Sequence, residues 1–389
     1  MTCILLLIAT LVVTTPGIGC RADTTTTEQA LARAVAYLWS KQAEDGSWRS
    51  EQYGVMRSGE SLTPFVLHAL LQSIDPMSSY EAGNVLRAAA FITAHLDEEG
   101  ALGRSDPDVL EYPVYSTAYS IECFRRIQSF HGLLGPDGDR DIARMQAFLI
   151  AAQYQEANGF QEDDVAYGGW GFNAPVRPGV VGHMDLAHTR KALASLQDGS
   201  RGGLTQTRAL HFLALLQKQP DTLSRQPLPE GVVRPDSLPI DGGFYFSPIA
   251  LSANKALYDK DKGCWRSYAT ATCDGILALL AAGVREDDER LVAAIGWLTE
   301  HSDVDYPQGV PTDHPEPWGN AIRFYHYSVR AEVYRRLDFP QADRDRLAAA
   351  LIARQRPDGS FVNSEPLMKE DDPLVCTSLA VVALANCLP

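Results

Sequence analysis

A phrase near one end of the chain, RAVAYLWSKQAEDGSW at 33–48, returns near the other as AALIARQRPDGSFV at 349–362. No other feature narrows the fold as much, because self-similarity over tens of residues is the mark of stacked supersecondary units. Both copies run a helical stretch into Gln42 or Gln355, then into Gly46-Ser47-Trp48 or Gly359-Ser360-Phe361. Related copies lie between them: Phe148-Leu149 with Gln153 and Gly159-Phe160, and Phe212-Leu213 with Gln217. Weaker ones place Leu96 or Ser302 where the glutamine stands, as in Phe91-Ile92 with Gly100-Ala101-Leu102 and in Trp297-Leu298. With Tyr37, Phe91, Phe148, Phe212, Trp297 and Ala350 as equivalent positions, six units cover the chain.

Each unit carries a second, more apolar helix: SLTPFVLHALLQSI, YSTAYSIECFRRI, DLAHTRKALASL, YATATCDGILALLAAGV, NAIRFYHYSVRAEVYRRL and CTSLAVVALANCL. Most start near Ser, Thr, Asp or Asn, which cap the exposed N–H groups of a first turn. The first helices, such as DRDRLAAALIARQ, hold more charge and are expected to face solvent. Hairpins that cannot bury their own apolar faces stack on neighbours, and an open stack needs polar ends. The last segment, CTSLAVVALANCL, has no charge, so closure onto the first unit is the expected way of covering it. The expected fold is all-α, an α/α toroid (barrel) of about six helical hairpins around a central cavity. It forms a single domain over 28–389, with a long Pro-rich loop at 218–241 near the cavity mouth.

The repeated frame resembles the QW motif of squalene and oxidosqualene cyclases and the related repeat of protein prenyltransferase β-subunits, the prenyltransferase/squalene oxidase repeat family. That resemblance implies a terpenoid cyclase/prenyltransferase-like toroid in which the glutamine and aromatic are architectural clasps. It also shows what is missing. Cyclases that protonate an alkene use a D-x-D-D acid at an inner helix start, whereas the nearest string here, Asp303-Val304-Asp305-Tyr306, follows an outer helix and lacks the last Asp. The analogous inner-helix start reads Met184-Asp185-Leu186-Ala187-His188-Thr189. The zinc prenyltransferases' D-x-C order is absent, with only Cys273-Asp274 and His326 as an echo, and so is the thioester domains' Gly-Cys-Gly-Glu-Gln segment. Glycan-active toroids need two carboxylates facing one cavity, for which Asp185, Asp274 and Glu332 are available.

Two features bear on location and partners. A formal net charge of -15 opposes attraction to nucleic-acid phosphates or an anionic membrane, so nucleic acid is not expected as a partner. The apolar run Ile4 to Val13 is too short to span a bilayer and fits an export signal over 1–20, followed by a linker over 21–27. Gly19-Cys20 resembles a lipoprotein cleavage box, although Gly17 stands where an aliphatic residue is usual and no Lys or Arg precedes the run. Export to a periplasmic, lipid-anchored or secreted location is expected, with membrane attachment only through a lipidated Cys20. Cys123, Cys264, Cys273, Cys376 and Cys387 lie in or beside apolar stretches and are expected as free, buried thiols.

The most chemical cluster is His183-Met184-Asp185-Leu186-Ala187-His188, two imidazoles and a carboxylate at a helix start. Asp185 and His188 are the candidate catalytic pair, with N-capping by Asp185 as the structural alternative. His183, Trp318, Tyr325 and His326 are the candidate ligand-cavity residues, aromatic rings suiting an apolar or cationic guest. No cofactor or metal is expected. The functional expectation is an exported cyclase-like repeat protein that binds an apolar small molecule, a peptide or a partner in its cavity without the D-x-D-D acid. The alternative is a terpene cyclase/mutase-type enzyme with a non-standard acid.

Overall fold

The computed structural model describes residues 26–73, 81–130, 133–175, 177, 179–197, 203–220, 225–233 and 240–389. The expected signal segment, with Cys20, lies outside these. Among the described residues twelve helices of ten or more residues pair into six hairpins. The outer members are α1 (Thr27–Ser40), α3 (Ala82–Ala94), α5 (Gly135–Ala152), α7 (Leu204–Leu216), α9 (Glu289–Glu300) and α11 (Gln341–Ile352). The inner members are α2 (Leu62–Ser73), α4 (Pro113–Gln128), α6 (Leu186–Ser195), α8 (Ala269–Ala281), α10 (Arg323–Arg336) and α12 (Pro373–Cys387). Each inner helix packs on the next, and α12 packs on both α2 and α1, so the ring closes. The uncharged face of α12 is covered as its sequence demands: Cys376, Ala380, Val381 and Leu384 are fully buried. All five cysteines outside the signal are free and buried.

The clasp ties the turn after an outer helix to the first turn of the next outer helix. Gln153 Nε2 donates to Gly168 O at 2.9 Å in its own turn and to Thr205 O at 3.0 Å on the next outer helix. Gln42 bridges Gly46 O and Asn84 O, and Gln217 bridges Gly242 O and Arg290 O. Gln355 bridges Gly359 O and Ala30 O, which joins the last unit to the first. Trp48 and Trp170 each donate Nε1–H to a carbonyl of the preceding helix, Leu38 and Leu149, at 2.7 Å. In the third unit the turn glycine is Gly168, not Gly159 as the sequence pattern suggested. Gly168 has φ +86°, and a Cβ there would lie 1.8 Å from Arg208 O, so only glycine lets α5 and α7 approach. Gly159-Phe160 belongs to an inserted turn after the helix Glu156–Asn158.

A second link was not visible in the repeat. Thr63, Thr117, Thr189, Thr272 and Thr377 on five inner helices accept the backbone N–H of Trp48, Leu102, Trp170, Phe244 and Phe361 through Oγ1, at 2.9–3.1 Å. Inner and outer helices are thereby pinned at each of these corners. The fifth unit, which has Ser302 in the glutamine place, brings Arg330 from α10 to Leu298 O, the carbonyl that corresponds to those met by Trp48 and Trp170. This fully buried guanidinium donates to Leu298 O, His301 O and Asp303 O. The expected loop at 218–241 leaves the ring beside a bridge between Gln217 and Phe244, and Pro227 O accepts Trp265 Nε1–H at 2.9 Å. Strands β1 (Tyr258–Asp259) and β2 (Cys264–Trp265) form a small hairpin in the same connection.

Candidate functional site

All outer-to-inner connections lie on one face of the ring, where the inner helices begin, and the central cavity lies there. It holds about 210 Å³ between the first turns of α2, α4, α6, α10 and α12. Its walls are Phe65, Tyr115, Tyr119, Tyr325 and Leu379, and its polar groups include Arg190, Lys191 and Glu370. Phe65 meets Tyr119 edge-on at 5.3 Å between centroids, and Lys191 Nζ sits 4.3 Å from the Tyr119 ring centre. The floor is ionic. Arg190 bonds Asp274 at 3.1 Å and also Glu332, and Lys191 bonds Glu122 at 3.2 Å, which in turn bonds His68 Nε2 at 2.7 Å. Two adjacent cations in a buried helix are tolerable only because each has a carboxylate within reach.

Asp185 is the N-cap of α6. Its Oδ1 accepts His188 N–H at 2.9 Å, and its Oδ2 lies 2.9 Å from His188 Nδ1 and 3.2 Å from His183 Nε2. Burial opposes its charge, but His188 and His183 outweigh it and hold the carboxyl well below the usual carboxylate range. Asp185 is thus the N-cap of α6 and is favoured in its ionised form. Its bond to Asp185 and its own burial push His183 in opposite directions, and the bond wins, raising that imidazole. Burial pushes Asp274 up to about 6 even though Arg190 and the Tyr325 hydroxyl both bond it. Asp274 is thus the acid nearest the cavity that is easiest to protonate besides Glu370, which burial pushes up to about 7 against the N–H groups of Phe324 and Tyr325.

The sequence-predicted residues separate into three places. His183, Asp185 and His188 form one hydrogen-bonded group, and Tyr325 is in the cavity wall. Trp318 stands outside that wall, its ring 5.1 Å from Lys255 Nζ. His326 points the other way: Nε2 lies 3.3 Å from Asp303 O in the outer corner, and burial with the nearby Arg330 pushes it down to about 3. It serves the fifth corner and not the cavity, because residue 325 and residue 326 on α10 lie about 100° apart.

Sequence reasoning missed Arg190, Lys191, Glu370 and Lys255. The first two had a signal, two cations inside an apolar inner helix, which only burial against carboxylates could explain. Glu370 and Lys255 lie in loops and gave none. Lys255 is buried between the Phe246 and Trp318 rings, donates to Ala253 O at 3.2 Å, and is lowered by burial to about 8. Among the described residues no group of three or more His, Cys, Asp or Glu side chains is placed to hold a metal ion.

No protein-family model and no curated protein matches the sequence. Solved structures do match over nearly the whole chain. The type II terpene cyclase MstE from Scytonema, in complex with geranylgeranyl dihydroxybenzoate, is 14% identical, covers 93% of this chain and 96% of its own, and has a TM-score of 0.53. A protein from Actinoplanes is 17% identical over 93% and 98%, at 0.53, and cellobiose 2-epimerase from Bacillus thermoamylovorans is 10% identical over 91% and 98%, at 0.51. At such identities the likeness establishes the fold alone: the chain has the all-α toroid that terpene cyclases also have.

Proposed function

We propose that this toroid binds a small amphipathic molecule, or a single apolar side chain of a peptide, in its central cavity. The cavity's size carries this reading. About 210 Å³ lies below the roughly 300–1,000 Å³ of drug-sized pockets. A monocyclic guest fits. The geranylgeranyl ligand in the complex of MstE has a long chain that would need a larger space. Tyrosine faces and Leu379 suit the apolar body, while Arg190, Lys191 and Glu370 offer partners for one polar group.

The alternative, a terpene cyclase/mutase-type enzyme, would draw on Glu370 or Asp274, the two acids that burial raises, since Asp185 is held ionised. Glu370 lines the cavity but already accepts from Phe324 N, Tyr325 N and Asn363 Nδ2. Both Asp274 oxygens already accept hydrogen bonds from Tyr325, and Oδ1 also from Arg190, so its proton has no free path to a guest. The test is a thermal-shift and calorimetric titration with toluene and p-cresol against geranylgeraniol. The small rings should raise the Tm of the wild type and leave that of a cavity-filling Leu379→Trp variant, with a native circular dichroism spectrum, unchanged. Turnover of geranylgeraniol, with no shift from either ring, would sink the binding reading in favour of the enzyme.

We also propose that the chain is exported and anchored through Cys20, a reading supported by the Ile4–Val13 run and the Gly19-Cys20 step. Intact mass of protein recovered from the membrane fraction checks it. An unmodified species starting elsewhere than Cys20 rules the anchor out.

A further inference from the structure

The His188 ring leaves one polar atom without a partner. It is 6% exposed, its Nδ1 is bound by Asp185, and its Nε2 is buried with no hydrogen bond. Tyr115 lies against it with ring centroids 4.0 Å apart, and Phe172 lies at 6.1 Å. Tyr115 is itself a wall of the central cavity, so His188 stands directly behind that wall.

Resting on the cavity reading above, we infer that His188 Nε2 is the hydrogen-bond acceptor for the ligand's head group, so the guest is a small ring or short chain bearing a hydroxyl or N–H. The tautomer follows from the neighbours. Ionised Asp185 can only accept, so the proton between it and His188 belongs to Nδ1. The ring is enclosed by two aromatic side chains, and Asp185 already shares its charge with the half-exposed His183. With Nδ1 as the donor to Asp185, the lone pair stands on Nε2. An acceptor left buried and unpaired is costly, and that cost is removed when a donor arrives. Tyr115 is the partition, and its ring must turn aside for Nε2 to meet the guest. Asp185 is then a positioning residue, fixing which nitrogen faces the guest. A head group that only accepts, such as an ether or carboxylate, gains nothing there.

Toluene and p-cresol test this, since they share a ring and differ by one hydroxyl. Calorimetric titration of the full chain should show p-cresol binding about ten-fold tighter, the effect of one buried hydrogen bond. His188→Phe should erase that preference while toluene still binds. Because that variant can misfold, long-range ¹H–¹⁵N spectra of the wild type give a second readout. Nε2 should resonate as an unprotonated nitrogen and shift with p-cresol but not with toluene. Equal affinities for the two rings, or an Nε2 that is protonated, or one that bonds water only and does not move with p-cresol, overturn the inference and leave the cavity reading standing. Binding of neither ring overturns the cavity reading, and this inference with it.

Discussion

The inner helices α6 and α10 occupy equivalent places in the third and fifth units, yet their ends are secured differently. At α6 everything is local. The corner carries Gln153 and Trp170, Thr189 pins the Trp170 N–H, and Asp185, the residue just before the helix, caps it with two histidines beside it. At α10 the help comes from elsewhere. Arg330, inside the helix, fills the corner, and Glu370, from the loop before α12, accepts the N–H groups of Phe324 and Tyr325. The difference teaches that the repeat preserves a requirement rather than a residue: the carbonyls at the end of each outer helix and the N–H groups at the start of each inner helix must be met, by whichever side chain reaches them.

Removing the two corner devices should separate them most. Arg330→Met leaves the carbonyls of Leu298, His301 and Asp303 buried without donors, and should cost about 3–5 kcal/mol, as expected for several lost charge-assisted bonds. Gln153→Met removes two neutral bonds and keeps Trp170, so about 2 kcal/mol is expected. Urea denaturation of the two variants, with the wild type, measures both. Equal losses would show that the guanidinium is no more than a clasp by another name. A smaller loss at Arg330 would mean that its carbonyls find other donors.

The same contrast explains what could be read beforehand. Gln42, Gln153, Gln217 and Gln355 recur because each meets the same two carbonyls in successive units, and a requirement met identically leaves a period in the sequence. The outer and inner helices, and the closure by α12, followed from it. Arg330 was invisible because a guanidinium twenty-eight residues beyond Ser302 has no place in the frame. Gly159 was mistaken for the clasp glycine because it stands directly before an aromatic, whereas Gly168 stands two residues before Trp170, the spacing of Gly46 and Trp48, and faces the Arg208 carbonyl. The cavity was less legible still. Tyr325 and His326 are neighbours in sequence with similar chemistry, and only the helical turn decides that one lines the cavity and the other supports a corner. Glu370 meets α10 from forty-five residues away, a distance that no local pattern spans.

The two caps also differ in how they answer pH, and this effect is expected to be no larger than the loss at Gln153. Asp185 takes hydrogen bonds from His188 and His183 and stays ionised, so its contribution is present above the ordinary carboxylate pKa and is lost as pH falls through its depressed value. Glu370 runs the other way. Its folded pKa is raised from 4.5 to about 7, so the unfolded chain ionises first and stability falls as pH climbs between those values. The raised value already includes the bonds from Phe324 N, Tyr325 N and Asn363 Nδ2, and a loss of about 2 kcal/mol is expected between pH 5 and pH 8. Glu370→Gln cannot ionise in either state. Chemical denaturation at pH 5 and pH 8 should therefore find the variant, whatever its stability at pH 5, gaining on the wild type by that amount at pH 8. A difference between the two proteins that is constant across this range would mean that the α10 start, like that of α6, holds its carboxylate ionised, with the helix N–H groups alone supplying what the histidines supply to Asp185.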